Sequence, residues 1–336
     1  MDISEEMRKC VAFLGSRENG KFVPRATVFF VSYMQDQHQF DHMVTAEHVV
    51  SGLLTKNKDM WLRANLVGGG VVELPLPHDA FYFHPNADME PTDVAVSPVQ
   101  FGLIDEETGK KSLIDARVIP LSGPTSFAPT EWFKKTQMGL GKEIVTIGLF
   151  RSHYGKDRNV PVIRVGNIAA KPEEPIHTSY CGYIKAYLVE ARSIAGLSGS
   201  PVFSTMDPSQ FMTRTLARHL GKKGLFEEEN PQLAAMVGLM HGHFDIRNLN
   251  EDVITDDGMA SVHTGMGVVV PVEKIIETLE HPDLVAKRKD IVANLRKETG
   301  ATADVFAEPA PQSSDDNPNH REDFTALVGA AAKTPQ

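Results

Sequence analysis

The chain has 336 residues, 41% of them hydrophobic, and a formal net charge of −10 at pH 7. A chain of this size can bury one large core or two modest ones, and its negative charge argues against a general role in binding nucleic acid. It contains no run of about 18 apolar residues, so no membrane span is expected.

The first residues and the cysteines bear on the cellular compartment. Residues 1–6 read MDISEE, which lacks the basic start and apolar core of a secretory signal. Cys10 and Cys181 are the only cysteines in the chain. One disulfide is therefore possible, but a disulfide framework is not. We expect a cytoplasmic protein.

Short apolar runs separated by turn residues extend from near the start of the chain to about residue 203. Residues 9–34 contain two such runs around the turn at 18–21, and the glycines 68–70 separate two more. Apolar runs of this length around Asn and Gly are typical of β-hairpins. The pattern predicts an all-β fold.

Two polar residues stand where apolar runs end or begin. Residues 43–50 read MVTAEHVV, an apolar strand that runs into His48. Residues 91–96 read PTDVAV, a turn with Asp93 ahead of a second apolar strand. Taken alone, such a histidine is most often a surface or core residue, and such an aspartate is often a turn former.

A serine flanked by glycines follows further along. Residues 196–203 read GLSGSPVF. The glycines permit backbone angles that other residues avoid, keep side chains away from the Ser198 hydroxyl, and free N–H groups for an oxyanion. The order His48, Asp93, Ser198 is one of the known orders of a Ser-His-Asp triad.

With these motifs the sequence resembles the chymotrypsin-like (trypsin-like) serine peptidases. It is closest to the bacterial, disulfide-poor branch that carries Thr-Ala-Xaa-His, Asp-Xaa-Ala-Val/Leu and Gly-Xaa-Ser-Gly-Ser-Pro. Three further segments resemble strands of the family. A second-barrel strand matches residues 145–148, the strand lining the specificity pocket matches 237–242, and the final barrel strand matches 265–271. The resemblance covers roughly residues 10–280.

Two positions depart from the family pattern. Leu197 stands where the family usually has Asp or Asn, and residues 25–30 read RATVFF where Gly-Thr-Gly-Phe-like residues are common. They leave open a catalytically weak or inactive trypsin-like scaffold that acts as a protein-interaction module. An esterase of the α/β-hydrolase fold would need the order Ser-Asp-His and a βα alternation, which this sequence lacks.

The resemblance implies two six-stranded antiparallel β-barrels with a C-terminal α-helix. We expect a trypsin-like serine peptidase domain over residues 1–298. Within it, the first β-barrel would span about 9–118, the second about 135–270, and the C-terminal helices about 271–298. The break near 118–135 would be the linker between the barrels.

Three segments outside the barrels have patterns of their own. Residues 204–233 resemble an insertion with a helix at 210–220, which either shapes access of the substrate or is a surface excursion. After Pro271, apolar residues recur at helical spacing. Residues 299–336 read as a flexible, disordered linker with a short terminal helix. That last stretch either docks on its own domain or on a protein partner, or is a frayed tail.

The resemblance also implies a role for each motif residue. Ser198 Oγ would attack a peptide carbonyl, His48 would take its proton, and Asp93 would hold the tautomer of His48. The backbone N–H groups of Gly196 and Ser198 would form the oxyanion hole. The predicted activity is that of a serine endopeptidase acting on polypeptides through an acyl-enzyme, without metal or organic cofactor.

By the same resemblance, residues 240–243 line the primary specificity pocket and Arg192 lies near its base. Arg192, His241 and His243 are therefore candidate substrate-binding residues, suited to an acidic side chain before the cleaved bond. Alternatively, Arg192 turns outward or pairs with Glu190. The two histidines would point the same way on a strand, but no Cys or Glu at ligand spacing accompanies them, so no metal site is expected.

Overall fold

The computed structural model describes residues 5–104, 109–122, 127–128, 138–191, 196–205, 233–246 and 262–298. Several expectations lie outside these residues: the helix at 210–220, the tail at 299–336 with its terminal helix, and the position of Arg192. The chain forms two compact units, residues 1–289 and 290–336. Of the second unit, the structure describes only the end of one helix.

Strands dominate the described residues, as the turn-rich sequence predicts. In chain order the elements are a 3-10 helix (Glu5–Cys10), β1 (Val11–Glu18), β2 (Lys21–Gln35), β3 (His38–Thr45), α1 (Glu47–Thr55), β4 (Met60–Asn65), β5 (Val71–Leu76), β6 (Tyr82–Phe83), β7 (Ala95–Pro98), β8 (Gly102–Ile104), β9 (Lys111–Leu113), β10 (Ile119–Pro120), β11 (Glu143–Gly148), β12 (Val162–Ala170), β13 (Ile176–Thr178), β14 (Gly182–Ile184), β15 (Tyr187–Glu190), β16 (Pro201–Thr205), β17 (Leu233–Ile246), β18 (Val262–Pro271), α2 (Val272–Leu279) and α3 (Pro282–Glu298).

Both predicted hairpins of the first half are present. β1 and β2 pair up to the turn at Asn19 and Gly20, which have φ angles of +51° and +73°. Two consecutive positive φ angles match the twist of the flanking strands, and Asn-Gly adopts them at low cost. β4 and β5 pair in the same way around the glycines 68–70.

The second half closes into a six-stranded antiparallel barrel, in the order β11-β12-β15-β18-β17-β16. This confirms the predicted second barrel. The first half forms an eight-stranded sheet, in which β5-β4-β1-β2-β3-β7-β6 are successive neighbours and β10 pairs with β2. The pairings among the described residues leave this sheet open, so a closed first barrel stays a prediction.

The eighth strand of the first sheet has a simple cause. β2 is fifteen residues long and β1 only eight, so β1 pairs with β2 no further than Phe29. The edge of β2 beyond that point is available, and Ile119 of β10 pairs there in parallel with Val31. Counting six strands per barrel from the sequence does not anticipate this addition.

One apolar cluster joins the sheet to the barrel. It contains Phe29 and Val96 from the sheet, Ile147 and Phe203 from the barrel, and Ile275 from α2, all fully buried. The ends of β3, β7, β16 and β17, which carry or flank the motif residues, therefore meet around a shared core. Burial of this apolar surface is what fixes the two halves against each other.

The C-terminal helices begin where the sequence predicts. α2 starts directly after Pro271 and buries Val272, Ile275 and Leu279 on one face, and α3 starts at Pro282. Among the described residues, no helix combines the length and the apolar character that crossing a bilayer requires. Both cysteines are free thiols.

Candidate active site

His48 and Asp93 meet because their strands are neighbours. His48 lies in the first turn of α1, just after β3, and Asp93 lies just before β7. Thr45 at the end of β3 pairs with Ala95 at the start of β7. His48 and Asp93, which lie just beyond these two residues, are therefore at the same end of the strand pair. His48 Nδ1 lies 2.8 Å from Asp93 Oδ2, and the His48 backbone N–H donates to Asp93 Oδ1 at 2.8 Å.

The Asp93 carboxyl is fully buried yet ionised. Burial by itself opposes its ionisation, but electrostatic attraction to His48 and hydrogen bonds from His241 and His48 hold its pKa well below the usual range. A carboxylate only accepts hydrogen bonds, so the Nδ1 atom of His48 carries its proton. The lone pair of that ring is then on Nε2, as a general base for a serine hydroxyl requires.

A second imidazole shares this carboxylate. His241 in β17 is 2% exposed, and its Nδ1 forms a hydrogen bond with Asp93 Oδ2. The rings of His48 and His241 meet edge to face, with centroids 5.1 Å apart. The contact joins residues 148 positions apart, and no motif in the sequence signals it.

Of the other two predicted substrate-binding residues, the structure describes His243 but not Arg192. His243 is partly buried in β17 and pairs with Gly267 of β18. Register shifts on both sides of it interrupt the regular alternation of the strand, so the simple expectation that His241 and His243 point the same way does not apply. Arg192 lies outside the described residues. Substrate binding by these three residues stays a prediction.

The loop that carries Ser198 is anchored on both sides. The Thr27 N–H donates to Ser198 O at 3.0 Å, and the Gly199 N–H donates to Met240 O at 2.8 Å. Gly196 and Gly199 have φ angles of +107° and +82°. A Cβ at Gly199 would lie 2.2 Å from Thr27 O, so the glycine is required both by its backbone angle and by the space.

The Thr27 hydroxyl is the centre of this anchor. Thr27 Oγ1 donates to Gly196 O at 3.0 Å and accepts from the Leu149 N–H at 2.9 Å and from Ser200 Oγ at 3.0 Å. All its bonding capacity is therefore used inside the protein. Thr27 is the residue of this segment that matches the threonine of the Gly-Thr-Gly-Phe-like pattern, and it places a side chain of the first sheet under the serine loop.

Leu197, the other departure, is 1% exposed and packs in the core of the barrel. Its side chain does not reach solvent. The loop therefore gains an apolar anchor at the position before Ser198, which supports its conformation without adding a polar group to the site.

Ser198 itself faces the strand that carries His241. A Cβ on Gly242, the residue after His241, would lie 3.8 Å from Ser198 Oγ. Within the described part of the chain, Ser198 Oγ and His48 Nε2 are not hydrogen-bonded, and the N–H groups of Gly196 and Ser198 donate to no backbone carbonyl. Such contacts are often long without substrate and tighten in the complex.

A hairpin of the second half covers one face of His48. Tyr180, between β13 and β14, stacks on the His48 ring with centroids 4.4 Å apart and planes 6° apart. Burial, together with the charges of Asp93 and Glu47, raises the pKa of the adjacent Cys181 above its usual range, so this thiol is protonated and a poor nucleophile. Neither residue stands in a recognisable motif.

Comparison with known proteins gives matches among solved structures only. No protein-family model and no curated protein matches the chain. The chain is similar to the MamO protease domain from Magnetospirillum magneticum (14% identity, TM-score 0.44, 81% of this chain and 96% of that one) and to the HtrA-type protease AlgW with a tripeptide (13%, 0.41, 81% and 60%). It is also similar to Rv3671c from M. tuberculosis in an inactive form (14%, 0.36, 81% and 87%).

These neighbours are proteases, one of them of the HtrA type. At these levels of identity the likeness concerns the fold, and the residues of the site are assigned from the geometry described above. The sequence motifs and the closed six-stranded barrel of the second half therefore favour a trypsin-like fold.

Proposed function

We propose that this protein is a serine endopeptidase that uses Ser198 as nucleophile, His48 as general base and Asp93 as orienting acid, on a trypsin-like scaffold of two barrels. The observation that carries the proposal is the buried Asp93 carboxylate, which holds His48 at both its backbone N–H and its Nδ1. Both bonds fix the ring so that Nε2 is the free, basic nitrogen.

The first half of the reaction forms the acyl-enzyme. Ser198 Oγ attacks the peptide carbonyl carbon while its proton passes to His48 Nε2. The carbonyl oxygen becomes an oxyanion, which the N–H groups of Gly196 and Ser198 stabilise; one such donor is worth about 10²–10³ in rate. His48 then gives its proton to the leaving amine nitrogen, and the C–N bond breaks.

In the second half, water replaces the amine. His48 takes a proton from the water, whose oxygen attacks the acyl carbon, and the ester bond to Ser198 breaks as the proton returns to Oγ. Asp93 stays ionised throughout and stabilises the imidazolium form of His48. The residues of this chain supply every group that these steps need.

The substrate is a polypeptide in this proposal. Arg192, His241 and His243 remain candidates for contact with the residue before the cleaved bond. His241 already bonds to Asp93, so of the two described residues His243 is the better placed to meet a substrate side chain. Peptides that differ only in Glu, Leu or Lys at this position would test for a preference for acidic residues.

Labelling with a fluorophosphonate probe, read by intact mass, tests the proposal. We expect one adduct on the wild type and none on Ser198→Ala, whose turnover of peptide substrates should fall by about 10⁶-fold. An adduct that persists in Ser198→Ala would refute the assignment of the nucleophile.

A second candidate is an inactive or weakly active scaffold that binds proteins. The observation that favours it is that Ser198 Oγ and His48 Nε2 are not hydrogen-bonded among the described residues. The same labelling experiment separates the two candidates, because a well-folded wild type that forms no adduct would support the scaffold.

A further inference from the structure

The unusual feature of this site is that two imidazoles converge on one carboxylate oxygen. Orienting the general base requires only one of them. The donor atoms of His48, Asp93 and His241 all lie within 4.8 Å of one another. Two imidazole nitrogens and one carboxylate oxygen form a typical three-ligand set for Zn²⁺, with a fourth position left for water.

The surroundings of the three residues suit a bound dication. The Asp93 side chain is fully buried, and the side chains of His241 and His48 are 3% and 12% exposed. The buried carboxylate brings one negative charge, and both imidazoles can ligate as neutral groups. A dication here would therefore meet an anionic, largely dehydrated set of ligands that opens to solvent on the His48 side.

The ligands are also held in place from behind, as metal ligands generally are. The His48 N–H fixes Asp93 Oδ1, which leaves Oδ2 pointing at the two rings. Next to His241, Met240 O accepts the Gly199 N–H and the Met240 N–H donates to Ser200 O, which fixes this part of β17. The Asp93 carboxylate and the backbone next to His241 are thus held by bonds that metal binding would not break.

We propose that His48, Asp93 and His241 form a reversible site for a zinc-class divalent cation that inhibits the enzyme. Tetrahedral ligands about 2.0–2.1 Å from zinc lie roughly 3.3 Å apart. The His48 Nδ1 to Asp93 Oδ2 distance is 2.8 Å. The His48 ring therefore needs to move about half an ångström away from Asp93. The His241 ring, whose Nδ1 lies nearer to Oδ2, needs to move further.

The inhibition follows from the tautomer of His48, and this part rests on the proposed function. To ligate through Nδ1, each imidazole must move its proton from Nδ1 to Nε2, so each ring stays neutral and no proton is released. His48 then presents an N–H, not a lone pair, to Ser198. The base is lost while Ser198 and its loop remain unchanged.

Zinc titration of the full-length, chelator-treated protein tests the binding itself. We expect one Zn²⁺ per chain with a Kd of about 10 µM or below by calorimetry, and a tetrahedral Co²⁺ absorption spectrum on substitution with cobalt. His241→Ala should weaken binding by at least about 100-fold. His78→Ala removes an exposed histidine elsewhere and is the matched control, with affinity unchanged.

Two further measurements separate this proposal from the proposed function. Ser198→Ala keeps all three ligands and should bind Zn²⁺ with the affinity of the wild type. In the wild type, Zn²⁺ should abolish fluorophosphonate labelling, and a chelator should restore it. Absence of saturable binding, an octahedral Co²⁺ spectrum, or unchanged affinity in a folded His241→Ala would overturn the metal site. Binding by a wild type that never forms an adduct would leave the metal site standing and refute the peptidase.

Discussion

Replacement of Asp93 by asparagine turns one hydrogen-bond acceptor of this side chain into a donor and removes its charge, at almost constant volume. In the protein, Asp93 accepts hydrogen bonds from the His48 N–H, from His48 Nδ1 and from His241 Nδ1. Asparagine has one accepting oxygen and an NH₂ group that only donates, so it cannot accept all three. With its oxygen on the His48 N–H, its NH₂ faces the two rings.

The consequence for catalysis is large and can be estimated. His48 Nδ1 must become an acceptor, so its proton moves to Nε2 and the proposed general base for Ser198 is lost. A triad histidine in the wrong tautomer costs about 10⁴-fold in kcat, or about 5 kcal/mol at 1.36 kcal/mol for each tenfold change. The stability cost is smaller, about 1–3 kcal/mol for one unsatisfied buried group.

The assay compares these two effects in one protein. The rate of fluorophosphonate adduct formation and kcat on a peptide substrate report the chemistry, and urea unfolding reports stability. Asp88→Asn, an exposed aspartate in the same loop, is the matched control and should behave like the wild type. A folded Asp93→Asn variant that reacts within tenfold of the wild-type rate would show that Asp93 does not set the tautomer of His48.

Three further predictions concern stability and the support of the site. Burial and the neighbouring Arg288 lower the pKa of His42 to about 4, so between pH 6.5 and 4 the unfolded chain binds a proton that the native state does not. The free energy of unfolding should therefore fall by about 3 kcal/mol over this range. Urea titrations of His42→Gln should show that this loss is removed. Thr27→Val removes three buried hydrogen bonds, including that from Ser200. It should lower the free energy of unfolding in urea by about 2–4 kcal/mol and slow probe labelling. Unchanged labelling would show that the serine loop is held without the Thr27 hydroxyl. Phe203→Ala should lower stability by about 3–5 kcal/mol, and Phe203→Leu by clearly less; equal losses would argue against a tightly packed core there.

Much of the site could be predicted because its signals are local. The glycines around Ser198, the strand that runs into His48 and the turn before Asp93 each lie within eight residues or fewer. Positive φ angles at Gly196 and Gly199 confirm what a serine between glycines predicts. The hairpin turn at Asn19 and the helix start after Pro271 are local in the same sense, since backbone preference at one or two residues decides them.

The contacts that complete the site depend on which distant strands become neighbours. His241 reaches Asp93, Thr27 reaches the serine loop, and Tyr180 reaches His48 only after the sheet and the barrel have packed together. Apolar alternation shows that a strand exists and which face it buries, but not its partner or its register. The sequence by itself thus determined the elements and the order of the reactive groups. The tertiary structure alone decided the second histidine on Asp93 and the eighth strand of the first sheet, because both arise from pairings between segments far apart in the chain.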